Sequence, residues 1–119
     1  MPHLTVEYSA NLSGLPEAEM LTALNATLCA SPEIQHEVDL KSRIVAVAQF
    51  QVGTADVPRG FVHAQLRLLA GRTPEAKKDL SERIAAVLQR LTPQPAGVQV
   101  QLSVEITDMD RPSYFKGVL

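Results

Sequence analysis

Two stretches of this chain open a helix in nearly the same words. Gly14-Leu15-Pro16-Glu17-Ala18 is answered by Gly71-Arg72-Thr73-Pro74-Glu75-Ala76. Each is preceded by an alternating run and followed by another. Pro2 to Tyr8 sets Leu4, Val6 and Tyr8 on one side, and His3, Thr5 and Glu7 on the other, the period of a strand. Met20, Leu21, Leu24 and Leu28 then recur at helical spacing until Ser31-Pro32. Arg43 to Val52 reads as a second strand, with Ile44 to Ala48 so apolar that both faces should be covered.

The second half repeats this order. Phe61 to Leu69 alternates His63, Gln65 and Arg67 against Val62, Ala64, Leu66 and Leu68. Thr73 suits a helix N-cap and Pro74 the first helical position. Leu80, Ile84, Val87, Leu88 and Leu91 form one apolar stripe, with Asp79 and Arg83 paired on the other side. Val98 to Ile106 alternates again, and the tail that follows has no clear period. A β-α-β unit read twice predicts an α+β fold. It is a four-stranded mixed sheet with two helices on one face, one domain over residues 1–119 with halves near 1–57 and 58–119. The uncovered face, read as poor in charge, predicts an obligate oligomer.

Composition narrows the function. The net charge of −2 offers no general attraction to nucleic acid or to an acidic membrane. No apolar run approaches the ~18 residues of a membrane span, and no basic-then-apolar start suggests a signal peptide. The expectation is a cytoplasmic protein. The one cysteine, Cys29, excludes an intrachain disulfide and a multi-cysteine metal site, and is expected to be a small buried hydrophobe. His3 and His63 read as structural, and His36 as a solvated loop residue, because no ligand partner stands at metal spacing. No Ser/His/Asp constellation, P-loop or dinucleotide motif appears.

The opening Met1-Pro2-His3-Leu4-Thr5-Val6-Glu7-Tyr8-Ser9-Ala10-Asn11-Leu12 closely resembles the start of the 5-carboxymethyl-2-hydroxymuconate isomerases of the tautomerase superfamily. The resemblance continues at Lys41-Ser42-Arg43, Phe61-Val62-His63, Ala70-Gly71-Arg72-Thr73 and Tyr114-Phe115-Lys116. It implies a homotrimer of β-α-β pairs (the tautomerase fold). It also implies catalysis by an N-terminal proline without a metal or organic cofactor, and a keto–enol isomerisation of a carboxylated muconate in homoprotocatechuate breakdown. Pro2 would be that catalyst once Met1 is removed, because a prolyl nitrogen inside a chain is an amide without useful basicity. A free α-amino group titrates near 7.7–8.0, close to working pH, and burial or neighbouring cations lower it further.

The substrate would be a small anionic dienoate or oxo-acid, so cations should bind it. Arg72 stands just before a helix start, and Lys41 and Arg43 share a face of an extended strand. Where the family often has arginine, Lys41 keeps the charge and loses the two-pronged grip. Two other readings stay open at this level: a tautomerase of a different 2-oxo or 2-hydroxy acid, and a trimeric binding module without chemistry.

Overall fold

The computed structural model describes residues 1–119. Its strands are β1 (His3–Ser9), β2 (Lys41–Val47), β3 (Arg59–Leu69) and β4 (Gln99–Met109). Its helices are α1 (Glu17–Cys29) and α2 (Pro74–Leu91). Short 3-10 turns occupy Glu37–Asp39 and Arg111–Ser113. The sheet order is β2-β1-β3-β4. Each β-α-β half makes a parallel pair, β1 with β2 and β3 with β4, and the halves join through the antiparallel β1–β3 pair. This is the mixed four-stranded sheet expected from the doubled order.

Alternation decides which side of the sheet the helices cover. Leu4 and Val6 of β1, with Val62, Ala64, Leu66 and Leu68 of β3, are fully buried or nearly so. They share one apolar core with Met20, Leu24 and Leu28 of α1 and Leu80, Ile84 and Leu88 of α2. Burying each such large side chain is worth roughly 1.5–3 kcal/mol. Both helices therefore lie on this one face. Arg83 ties them together: its Nε donates to Asp79 Oδ2 at 2.7 Å within α2, and its Nη1 donates to the Thr27 carbonyl of α1 at 3.1 Å.

Four details depart from expectation. First, β2 ends at Val47 rather than Val52. It pairs only with β1, whose last residue, Ser9, stands opposite Val47, so nothing remains for the chain beyond to pair with. Second, β2 is an outer strand, and Val45 is 48% exposed, so its apolar run is not covered on both faces within one chain. Third, the open face of the sheet is not poor in charge. The apolar alternates all went to the helix side, leaving Glu7, Arg43, Arg67 and Glu105 exposed. His63 Nδ1 there lies 2.7 Å from Ser103 Oγ, and its Nε2 lies 3.3 Å from Glu105 Oε1. Fourth, Cys29 is half-buried at the margin of the core rather than within it.

Candidate active site

Pairing brings one end of the sheet to a focus. β1 and β2 start there, and the antiparallel β3 finishes there. Pro2 is buried at this end, and its carbonyl accepts the Lys41 N–H at 3.1 Å, one residue before β1 proper. β3 ends at Leu69, and Gly71, with φ +126°, turns the chain toward α2. A side chain at that φ is strained, and glycine avoids this. The turn aims Arg72 at the same end, where Thr73 Oγ1 accepts the Ala76 N–H at 3.1 Å and caps α2.

The result is a cleft of about 370 Å³ beside Pro2. Arg72, Arg111 and Lys116 line it, together with Glu33 and Asp39 from the segment between α1 and β2. Arg72 is firmly held. Its Nη1 donates to the Leu69 carbonyl at 2.8 Å and its Nη2 to the Glu33 carbonyl at 3.1 Å. Its Nε lies 3.5 Å from Glu33 Oε1, close enough for attraction, yet it is buried without a hydrogen-bond acceptor. Arg72 thus clamps the end of β3 to the loop after α1 while its charge faces the cleft. The α-amino group of Met1, which also lines this cleft, is held below its ordinary 8.0, first by burial and then by the Lys116 ammonium. Asp39 opposes that lowering, and Arg72 and Lys41 add to it.

Of the four residues singled out in the sequence, Pro2 and Arg72 meet in this cleft. Lys41 does not line it. Its Nζ donates to the Asp39 carbonyl at 3.0 Å, and it acts on the cleft only through its field. Arg43 lies elsewhere. In register with Thr5, it sits on the open face, and its Nη2 donates to His3 Nδ1 at 3.0 Å. His3 Nε2 in turn lies 2.8 Å from the Tyr114 hydroxyl. Two residues that do line the cleft, Arg111 and Lys116, come from the aperiodic tail. Lys116 was visible only inside the family-like triplet Tyr114-Phe115-Lys116, and no sequence signal marked Arg111. No group of three metal-ligating side chains is assembled anywhere in the chain.

The family model for 5-carboxymethyl-2-hydroxymuconate isomerase matches residues 2–117. Among solved structures, a 5-carboxymethyl-2-hydroxymuconate isomerase from Deinococcus radiodurans R1 is 30% identical. The match covers 98% of this chain and 88% of that one, with a TM-score of 0.85. A 5-carboxymethyl-2-hydroxymuconate delta-isomerase is 23% identical over 100% of this chain and 88% of that one, with a TM-score of 0.70. A fused 4-OT protein, solved as a symmetric trimer, shares the fold at 17% identity and a TM-score of 0.67, covering 91% of this chain and 87% of that one. None of the curated proteins compared matches the chain. From a family match that runs nearly end to end and a shared α+β architecture, it follows that this chain belongs to the 5-carboxymethyl-2-hydroxymuconate isomerase family and is an isomerase of the tautomerase superfamily.

Proposed function

We propose that the chain, freed of Met1, is a cofactor-independent isomerase of carboxylated 2-hydroxymuconates of the 5-carboxymethyl-2-hydroxymuconate class, with the Pro2 nitrogen as its acid–base group. The observation that carries this reading is the burial of Pro2 in a cleft ringed by Arg72, Arg111 and Lys116. The unprotonated amine takes the proton from the 2-hydroxyl oxygen. The resulting dienolate spreads its negative charge along the conjugated carbons. The ammonium then returns the proton to carbon 5, leaving a 2-oxo-3-enoate, so atoms and charge balance over one turn. Cations near the amine favour its free base and stabilise the dienolate as charge develops. A positioned acid–base group typically contributes about 10²–10⁴-fold.

Arg72 supplies field and rigidity in this scheme. Lys41 adds field from outside the cleft, and Arg43 acts away from the substrate. The working unit is a homotrimer in the cytoplasm. Two quantities support assembly. The single chain exposes 7248 Å², against about 6,300 Å² for a monomeric protein of its mass. Its radius of gyration is 15.4 Å, against about 13.5 Å for a compact chain of this length. No helix is long and apolar enough to cross a membrane.

The test starts from protein whose intact mass shows Met1 removed. Turnover of 5-carboxymethyl-2-hydroxymuconate and of the simpler 2-hydroxymuconate is followed by ultraviolet absorbance. The expected outcome is turnover that disappears when a residue is left in front of Pro2, with the fold unchanged by circular dichroism. Undiminished activity with a blocked Pro2 nitrogen would remove it as the base.

A further inference from the structure

The tail after β4 runs from the open face of the sheet to the cleft at its end. It is pinned on the way. Arg111 Nε donates to the Ala70 carbonyl at 2.6 Å. The Tyr114 hydroxyl meets His3 Nε2 on the open face, and the two rings pack edge-on with centroids 6.2 Å apart. Two residues later, Lys116 stands in the Pro2 cleft at the end of the sheet. Arg72 already gives an N–H from each terminal nitrogen to backbone carbonyls. Lys116 is differently placed: it makes no ion pair with the protein, although Glu33 and Asp39 line the same cleft.

We propose that the C-terminal tail is the substrate-recognition element of the Pro2 cleft: the Lys116 ammonium binds one carboxylate of a dianionic substrate, and the His3–Tyr114 contact positions the tail for it. This rests on reading the cleft as the active site. An ammonium with three free donors is a ready point-charge partner for a carboxylate. Arg72 keeps the cleft positive and rigid, while the tail supplies the group that closes on the ligand. Lys116 is also the foremost charge acting on the Met1 amine, which lies in the same cleft as Pro2. A carboxylate bound to Lys116 would cancel part of its charge, so the Pro2 amine of the Met1-free chain would hold a proton more readily when substrate is present. Recognition and proton transfer are thereby linked through one side chain. Tyr114 touches no substrate here and is a positioning residue.

The probe is cis,cis-muconate, a dienedioate without the 2-hydroxyl and so without a proton to shift. Its binding to the Met1-free protein is measured by calorimetry in two buffers of different ionisation enthalpy. Lys116→Met is expected to raise Kd about tenfold, the scale of one charge-assisted bond, while Lys116→Arg stays within about twofold of wild type. Wild type is expected to take up protons on binding, and Lys116→Met to take up fewer. Tyr114→Phe should raise KM for a reacting 2-hydroxymuconate with kcat unchanged, and Arg90→Ala, on the exposed side of α2, should change nothing. A folded Lys116→Met protein that binds muconate like wild type overturns the proposal, as does wild type that does not bind muconate at millimolar concentration. The two readings separate cleanly. Turnover with no Lys116 effect sinks the tail assignment alone, and a Lys116 effect on muconate without turnover of any 2-hydroxymuconate sinks the isomerase chemistry alone.

Discussion

Arg43 can only donate, so the ring nitrogen it faces, His3 Nδ1, must accept. That fixes the tautomer: the proton sits on Nε2 and points at the Tyr114 oxygen. His3 is therefore neutral, and its pKa is lowered from 6.5, first by burial, then by Arg43, Lys41, the terminal amine and Arg67. Asp108 and Asp110, in the same open-face hollow, stand against these cations. A lowered folded-state value means that the native chain resists a proton the unfolded chain accepts. The stabilisation is present in full above pH 6.5 and is lost as pH falls through the folded-state pKa. His3→Gln should lose less stability than wild type between pH 7.5 and pH 5, measured by denaturant midpoints on Met1-free protein. Equal losses would show that His3 carries no such linkage. At this scale the position of Pro2 and Arg72 at one end of the sheet was legible, because both are anchored to regular elements. That Arg43 lies apart from them, beside His3, was not legible, because a shared strand face says nothing about which end of the sheet a side chain serves.

The two helices begin alike and are secured differently. Gly14 and Gly71 both have positive φ, 79° and 126°, and this turn before a proline-led helix is what the sequence echo encodes. Only α2 adds a side-chain cap, through Thr73; α1 starts behind Pro16 with no side-chain cap and with Glu17 and Glu19 in its first turn. Thr73→Ala should therefore cost about 0.5–2 kcal/mol in chemical denaturation, and the same change at Thr92, past the far end of α2, should cost less. Strand and helix identities were readable from period alone, because each element presents one face to a single core. Strand ends were not. An apolar run cannot announce that its neighbour stops at Ser9, and the tail of β4 reaches Met109 because β3 is long enough to pair with it. The tail itself has no period to read, since it is placed by the contacts of Arg111 and Tyr114 rather than by a repeating face.

For the molecule as a whole, the proposed assembly would cover the sheet face that is bare of helices. The covering surface has to match charges and hydrogen-bonding groups such as Glu7, Arg67, His63 and Glu105 rather than a greasy patch. Val45, on the outer strand β2, is the large aliphatic exception. Val45→Lys is expected to shift the sedimenting species from the proposed trimer toward single chains, with secondary structure kept; a trimer that persisted in the variant would move the contact elsewhere. The outer strands have a further consequence. β2 and β4 each have one neighbour in the sheet, so each leaves a row of main-chain N–H and C=O groups available. A subunit that finds no partners soon after folding carries two ready templates for growth by strand addition. At unchanged protein concentration, a mutation that weakens association without adding charge to an outer strand would then show itself as fibrous precipitate before it showed itself as unfolding.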